Sequence, residues 1–146
     1  MDQEELEPCF TGTFEHTLDA KGRVSLPSKV RRSLPQTVKT VLGLQNDSVL
    51  VFDPKAYKAW VDGFFPNGFN PRSLSDVKLK ERLTAFAEDA DIDSAGRVGI
   101  SARLRSIVGL EKDVTIIGCD DHLKIEDRAK SVLNEDELLA MTFMVE

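Results

Sequence analysis

Two aspartate–arginine pairs with the same spacing are the residues in this sequence best suited to charged chemistry. Asp19 precedes Arg23 by four positions, and Asp93 precedes Arg97 by the same interval. One interpretation is structural: the carboxylate accepts hydrogen bonds from backbone N–H groups of a turn and pairs with the guanidinium. The other is functional, because an arginine at a loop tip can bridge phosphate oxygens or a guanine edge. The spacing alone leaves both interpretations open.

Basic residues cluster around the first pair. The segment 20–46 contains six lysines and arginines and no acidic residue, although the whole chain has a formal net charge of −6. Local clusters decide phosphate binding because the Debye length at physiological salt is about 8 Å. The alternative is that these bases only offset neighbouring acids. The residues expected to form a cationic surface for nucleic acid are those of the predicted turn and of the solvent face of the following helix: Lys21, Arg23, Lys29, Arg31 and Arg32.

Aspartates at alternate positions of segment 89–93 resemble the start of a calcium-binding loop. The match fails at the two positions that matter most. The sixth position needs glycine for a sharp turn and is Ser94, and the twelfth needs a bidentate glutamate and is Ile100. We therefore expect no metal site.

Catalytic patterns are also missing from the sequence. His16 and His122 lie far apart, and no phosphate-cradling glycine motif, nucleophile elbow or paired metal-binding histidines occur. Cys9 and Cys119 are too few for a disulfide framework or a four-thiolate zinc site. We expect a protein that is not an enzyme, with no catalytic residues, no cofactor and no small-molecule substrate.

The composition is that of a globular protein. The chain has 146 residues, of which 41% are hydrophobic and 30% are charged. No stretch approaches the roughly 20 consecutive apolar residues of a membrane span. The acidic start, residues 1–8, does not have the pattern of a secretory signal. We therefore expect a cytoplasmic protein without membrane association.

The chain contains an internal repeat, in which segment 19–31 aligns without gaps with segment 93–105 at an offset of 74. Val49 and Val51 meet Leu123 and Ile125 at the same offset. A unit of about 50 residues is marginal for an independent core, so the two copies should pack on each other or on other chains. The 13 aligned positions include five identities: Asp19/Asp93, Gly22/Gly96, Arg23/Arg97, Val24/Val98 and Arg31/Arg105.

Each copy begins with a turn that feeds a half-buried strand. Gly22 and Gly96 fit a turn position with positive φ, which only glycine adopts cheaply. A short helix follows in each copy. In the second copy, Ser101 is the expected N-cap and Gly109 is expected to end the helix. Ile107 is expected to face inward together with Leu104 and Val108. Paired strands come next, predicted at 37–42, 48–52, 114–117 and 122–125.

The remaining elements are predicted to be helices. Asp53 is the expected cap of a helix that carries several aromatic residues. An amphipathic helix is predicted over about 73–90, and two short helices are predicted at the end of the chain, over 128–132 and 135–143. We divide the chain into a first unit at 9–65, a linker with an amphipathic helix at 66–90, and a second unit at 91–146.

Two stretches of the sequence resemble one known family. The pattern F-x-G-x-x-x-H-T-L-D-A-K-G-R-V-S-L-P-S-K-V-R at 10–31 looks like the signature of the MraZ family, and D-S-A-G-R-V-G-I-S-A-R-L-R-S-I-V-G-L-x-K-x-V at 93–114 resembles its second half. The resemblance implies a mainly β fold with added helices (α+β), made of two tandem SpoVT-AbrB-like swapped-hairpin units. It further implies a DNA-binding transcriptional regulator of bacteria, expected to be a repressor that binds repeated sites in the promoter of its own division and cell wall gene cluster. A ring-shaped homo-oligomer associated with the nucleoid is also implied.

The family's DNA-contacting turn residues correspond to Lys21 and Arg23, and a basic pair used by related AbrB-type domains corresponds to Arg31 and Arg32. Because Ala95 replaces the turn lysine, the second copy is expected to be the weaker DNA candidate and to serve mainly in packing. An AbrB-like protein–protein interaction or antidote module is the alternative function. Weaker DNA contacts are assigned to three arginines of the second copy: Arg97, Arg103 and Arg105.

Overall fold

The computed structural model describes residues 9–141. Within this range the chain forms eight strands and five helices. The elements of the first repeat are β1 (Thr13–Thr17), β2 (Arg23–Ser25), α1 (Ser28–Arg31), β3 (Thr37–Leu42), β4 (Val49–Phe52) and α2 (Pro54–Gly63). Helix α3 (Leu74–Ala85) leads to the elements of the second repeat, β5 (Ala87–Asp91), β6 (Arg97–Gly99), α4 (Ala102–Val108), β7 (Asp113–Gly118), β8 (Leu123–Asp127) and α5 (Arg128–Met141).

The two repeats exchange strands. Six strands form one antiparallel sheet in the order β1-β7-β8-β4-β3-β5, and β2 pairs with β6 in a second, two-stranded sheet. The first strand of each repeat thus pairs with the third strand of the other. Isolated bridges from Leu18 to Val24 and from Ile92 to Val98 connect the two edges of the large sheet to the small one. The strand order therefore closes on itself, as expected for interlocked swapped-hairpin units.

An approximate twofold axis relates the repeats. Val24 pairs with Val98 in the small sheet, and Leu50 pairs with Lys124 in the large one. In both pairs the two positions differ by the repeat offset, so equivalent residues meet each other at the axis. Strands β2 and β6 carry the two aspartate–arginine turns to this axis.

The larger of two hydrophobic clusters in the described part of the chain contains side chains from both repeats. Val24 and Val98 are fully buried in it, together with Leu104, Ile116 and Ile125. The repeats share this core because each unit is small, and neither copy can bury enough apolar surface on its own to be stable. The alternating apolar residues of the sequence thus face an interior to which both repeats contribute.

Local signals in the sequence placed several boundaries correctly. The Asp53 carboxylate accepts from Ala56 N at 2.8 Å to cap α2, and Ser101 Oγ accepts from Leu104 N at 3.2 Å to cap α4. Gly109 ends α4 in the left-handed conformation, with φ +81°. Strand β3 has the predicted bounds. These features depend on contacts between residues close in sequence.

Three expectations about the elements were wrong, and one strand was missed. The helix predicted over 73–90 ends at Ala85, and residues 87–91 form β5 because β3 offers them a pairing partner. Strand β1 was not predicted. Ile107 is 40% exposed rather than inward-facing. The two predicted tail helices are one continuous helix, α5, and the end of the second lies outside the described residues, as does the acidic segment 1–8.

Candidate nucleic-acid interface

The first turn is organised around the Asp19 carboxylate. One oxygen, Oδ1, accepts from the backbone N–H groups of Lys21 and Arg23, both at 2.9 Å. The other, Oδ2, accepts from Arg23 Nε at 2.8 Å. Gly22 has φ +76°, and its N–H donates to the Asp19 carbonyl at 3.0 Å. The turn is therefore a hydrogen-bonded loop with a left-handed glycine, of the kind that joins antiparallel strands.

The second turn has the same geometry. Asp93 Oδ1 accepts from Ala95 N and Arg97 N, both at 2.9 Å, and Oδ2 accepts from Arg97 Nε at 2.9 Å. Gly96 has φ +78°. The identities of the repeat thus reflect one local structure that is built twice.

The two turns are connected by ion pairs that cross the twofold axis. Arg23 Nη1 lies 3.8 Å from Asp93 Oδ2, and Arg97 Nη1 lies 3.8 Å from Asp19 Oδ2. The side chains of Arg23 and Arg97 are 31% and 35% exposed. Arg23 is therefore held within a four-residue network rather than extended freely from a loop tip, and the structural interpretation of the Asp-x-x-x-Arg spacing holds in both copies.

These contacts lower the pKa of both aspartates. For Asp19 the largest cause is the hydrogen bond from Arg23 N–H; the guanidinium of Arg23 and the N–H of Lys21 act in the same direction, while partial desolvation opposes them. The pKa of Asp93 is lowered by the equivalent groups, first among them Arg97 N–H. Both carboxylates are therefore ionised at neutral pH, and each balances the charge of an arginine.

Two further arginines lie on the turns, and each comes from the other repeat. The guanidinium of Arg105, which follows β6, lies against Gly22: a Cβ built on that glycine would be 2.6 Å from Arg105 Cζ. The guanidinium of Arg31, which follows β2, lies against Gly96 in the same way, with Arg31 Cζ at 2.8 Å from such a Cβ. Neither turn has room for a larger residue at its glycine while these arginines stay in place.

A shallow cleft of about 290 Å³ separates α1 from the second turn. Arg31 and Arg32 line one side, and Asp93, Ser94 and Gly96 line the other. The cleft is widely open to solvent. It offers two guanidinium groups and a serine hydroxyl, which are suitable donors for an oxyanion.

The other predicted basic residues divide into two groups. Lys21 is exposed in the first turn, and Arg32 is exposed with its Nε 3.3 Å from the carbonyl oxygen of Ser28. Arg103 instead stacks on the ring of Phe86, with Cζ 4.7 Å from the ring centroid. Its counterpart Lys29 is exposed on α1. Arg103 thus contacts the residue that precedes β5, whereas the basic candidates of the turns lie on or beside the turns.

Residues 9–141 contain no group of three histidine, cysteine or acidic side chains arranged to hold a metal ion. The same residues contain no helix that combines the length and apolar character needed to cross a bilayer.

A comparison with family models identifies the fold. The model described as "MraZ protein, putative antitoxin-like" matches residues 9–69 and 83–137. The chain belongs to the MraZ family. The two matched regions correspond to the two repeats, so the tandem α+β architecture of MraZ proteins applies to this chain.

Curated MraZ proteins match most of the chain. The transcriptional regulator MraZ of Bordetella pertussis is 34% identical over 133 residues, which cover 90% of this chain and 91% of the relative. The MraZ proteins of Corynebacterium urealyticum and Spiroplasma kunkelii are 34% and 32% identical, over 81% and 82% of this chain and 80% and 82% of their own lengths. These relatives are named transcriptional regulators, which supports a role for this chain in transcription regulation.

Sequence reasoning did not find the exchange of arginines between the repeats. It grouped Arg31 with the turn of its own copy, whereas the structure places the guanidinium on Gly96 of the other copy. The gapless repeat and the small size of each unit indicated that the copies pack together. They did not indicate which helix lies over which turn, because that depends on strand pairing between distant segments.

Proposed function

We propose that this MraZ-family protein is a sequence-specific DNA-binding transcriptional regulator that acts as a repressor. In this proposal it binds repeated sites in the promoter of its own division and cell wall gene cluster, in the cytoplasm and in association with the nucleoid. The curated relatives are named transcriptional regulators. The observation that carries the proposal is the excess of positive charge around the two turns.

The charge excess follows from the ion pairs. Arg23 and Arg97 neutralise the two turn aspartates through the network across the axis. Four other cations lie on or beside the two turns and form what we call the turn face: Lys21, Arg31, Arg32 and Arg105. Within residues 9–141, no acidic side chain forms an ion pair with any of them. They therefore give the turn face a local positive charge on an acidic protein.

Arg23 has two roles in this proposal. Its Nε and one terminal nitrogen interact with Asp19 and Asp93, and Nη2 has no partner within the described part of the chain. That nitrogen is free to donate to DNA. The same side chain also positions Lys21 by fixing the turn, so that replacing Arg23 would change binding and turn geometry together.

A single chain offers only a few phosphate contacts, so tight binding requires several chains. We propose a ring-shaped homo-oligomer that presents several turn faces to repeated DNA sites. Linked binding events raise the effective concentration of each further contact, so overall affinity can exceed that of one site by about 10²–10⁴. In this proposal, the repeated sites of the promoter bind several turn faces of one oligomer at the same time.

The test measures binding to a labelled duplex from the region upstream of its own gene and to a shuffled duplex of equal length. We expect the wild-type protein to prefer the upstream duplex at 150 mM salt. Lys21→Ala should weaken binding and reduce the slope of log K against log salt by about 0.9, the value for one phosphate contact on B-DNA. Lys55→Ala, which removes an exposed lysine of α2, is the matched control and should leave the slope unchanged.

Equal affinity of the wild-type protein for the two duplexes would reject sequence-specific regulation. Equal effects of Lys21→Ala and Lys55→Ala on the salt slope would reject the assignment of the first turn as a DNA-binding site. A transcriptional reporter fused to the upstream region tests the direction of control, since loss of the protein should raise expression from a repressed promoter.

An AbrB-like protein–protein interaction or antidote module remains the second candidate, favoured by the antitoxin-like description of the family model. Binding of a protein ligand that disappears when residues 1–8 are removed, without any duplex binding by the full chain, would favour this function over DNA regulation.

A further inference from the structure

The two helices that follow the central strands of the large sheet differ in what they pack against. Helix α2 follows β4, and α5 follows β8 at the equivalent position of the repeat. Tyr57 and Trp60 of α2 pack on the fully buried Phe52. Tyr57 also donates from its hydroxyl to the carbonyl of Leu83 in α3, at 3.1 Å. Helix α2 therefore contacts both the sheet and α3.

Helix α5 packs on the sheet through polar groups instead. Ser131 and Asn134 occupy the positions that correspond to Tyr57 and Trp60 of α2. Ser131 is buried, and Asn134 donates from Nδ2 to the carboxylate of Glu126 at 3.2 Å. The first turns of α5 are therefore fixed to β7 and β8 by a small polar contact and not by an aromatic cluster.

No counterpart of α3 lies beside α5 in the described residues. The segment equivalent to the end of α3 is 9–11, and Phe10 in this segment forms a β-bridge with Asp120 instead of a turn of helix. From Glu135 to Met141 every residue of α5 is exposed. Helices gain most of their stability from packing, and a short helical end without it is marginal in water. The second half of α5 is therefore suited to pack against another surface.

The exposed half of α5 is both apolar and acidic. Leu138 and Met141 are each 50% exposed, and their spacing of three to four positions continues the face that begins with Ser131 and Asn134. Segment 131–141 contains three acidic residues and no basic residue. Large hydrophobic side chains that are exposed together mark an interaction surface. The surface that fits this half of α5 is therefore apolar and surrounded by basic residues.

Helix α3 has such a surface on its outer side. Leu74 is 73% exposed and Val77 is 38% exposed, and the two residues are one helical turn apart. Segment 70–80 around them contains three basic residues and one acidic residue, so its charge is opposite to that of segment 131–141. The inner side of α3 is already used within the chain, because Leu83 is fully buried. The outer side of α3 can therefore accept a helix from a second copy of the chain.

We propose that the exposed half of α5 docks on the outer side of α3 of a neighbouring copy of this chain, with Leu138 and Met141 packed on Leu74 and Val77. The contact is head to tail, because α5 and α3 are different surfaces of one chain, and such contacts form a ring when their rotation closes. Pairing of two α5 helices is disfavoured, because the acids of residues 135–137 would face one another. This inference rests on the proposed homo-oligomer and assigns the two surfaces that join its chains.

The experiment measures the molar mass of the full chain without DNA, by size-exclusion chromatography with light scattering. Leu138→Asp and Leu74→Asp each place a carboxylate on one side of the contact. Leu44→Asp is the matched control, because Leu44 is 52% exposed and lies in the turn between β3 and β4. Thermal unfolding of each variant checks the fold, which should be retained because all three leucines are exposed.

We expect the wild-type protein and Leu44→Asp to form the same oligomer. Leu138→Asp and Leu74→Asp should each associate about 30-fold more weakly or worse, the effect of losing one hot-spot contact, and should elute as smaller species.

A mixture of the two interface variants tests the head-to-tail arrangement. Leu138→Asp keeps an intact α3 surface, and Leu74→Asp keeps an intact α5 surface. An equimolar mixture should therefore form a complex of two chains that cannot extend further, and neither variant should form this complex alone.

Wild-type mass for both variants would overturn the inference alone, while duplex binding by the wild-type protein would leave the proposed function in place. Loss of assembly in Leu138→Asp only, with no complex in the mixture, would show that α5 meets a different surface and would overturn it as well. A lower melting temperature of Leu138→Asp at unchanged mass, reproduced by removal of residues 1–8, would assign the cover of α5 to that segment instead. A monomeric wild-type protein would overturn the proposed homo-oligomer and this inference together.

Discussion

Gly96→Ala tests whether the geometry of the second turn determines DNA binding by the turn face. Gly96 combines two constraints: its φ of +78° is unfavourable for any residue with a Cβ, and the space a Cβ would occupy is filled by the guanidinium of Arg31. Gly68→Ala is the matched control. Gly68 has φ +89°, but a Cβ there would meet nothing within 4 Å. The pair therefore separates backbone strain from displacement of the arginine.

The two variants should lose similar stability. A left-handed conformation costs an L-residue about 1–2 kcal/mol relative to its preferred region, and glycine avoids this cost. The displaced Arg31 adds little to the loss, because it is exposed and can adopt another rotamer. Each 1 kcal/mol corresponds to a shift in Tm of roughly 2–6 °C for a chain of this size. Urea unfolding and thermal scans measure both quantities.

The two variants should differ in DNA binding. Gly96→Ala moves Arg31 off the second turn, so the slope of log K against log salt should fall by up to about 0.9, the value of one phosphate contact. Gly68→Ala lies in the loop between α2 and α3 and should bind as the wild-type protein does. Equal salt slopes for Gly96→Ala and Gly68→Ala would refute the reasoning, as would an unchanged stability of Gly96→Ala.

Two further predictions concern stability. Leu104→Ala removes a fully buried side chain at the centre of the shared core and should reduce the free energy of unfolding by about 2–5 kcal/mol, measured by urea denaturation; a loss below about 1 kcal/mol would contradict the assignment of that core. The lowered pKa values of Asp19 and Asp93 stabilise the fold above the ordinary carboxyl pKa near 3.9, and this contribution disappears as pH falls through the folded-state values. The double variant Asp19→Asn with Asp93→Asn should therefore lose less stability than the wild-type protein between about pH 5 and pH 2, and parallel acid limbs in urea midpoints would show that the network does not contribute.

Sequence reasoning succeeded where the determining contacts are local. The Asp-x-x-x-Arg turn closes through hydrogen bonds between residues at most four positions apart, and the caps of α2 and α4 join residues three positions apart. Such contacts leave a recognisable spacing of residue types. The candidate basic residues of the turns and of α1 were found in the same way, by their type and position in a repeat.

Sequence reasoning failed where the residue that determines the structure is distant in the sequence. Residues 87–91 continue an acceptable helical pattern, yet they form β5 because β3 pairs with them from about 50 positions away. Ile107 lies next to the buried Val108, and only the orientation of α4 on the core decides which of the two side chains is covered.

The sequence by itself determined that the chain is a repeat of one small unit, that each unit begins with a glycine-containing turn held by an aspartate, and that positive charge collects around the first turn. The tertiary structure alone decided that the units exchange strands, that Arg23 and Arg97 form ion pairs with aspartates across the axis, and that Arg31 and Arg105 lie against the turns of the opposite repeats. The physical reason is the range of the interactions. Turns and caps are fixed by backbone hydrogen bonds within a few residues, whereas the pairing of β1 with β7 and of β3 with β5 is selected by the burial of a core that neither repeat can form alone.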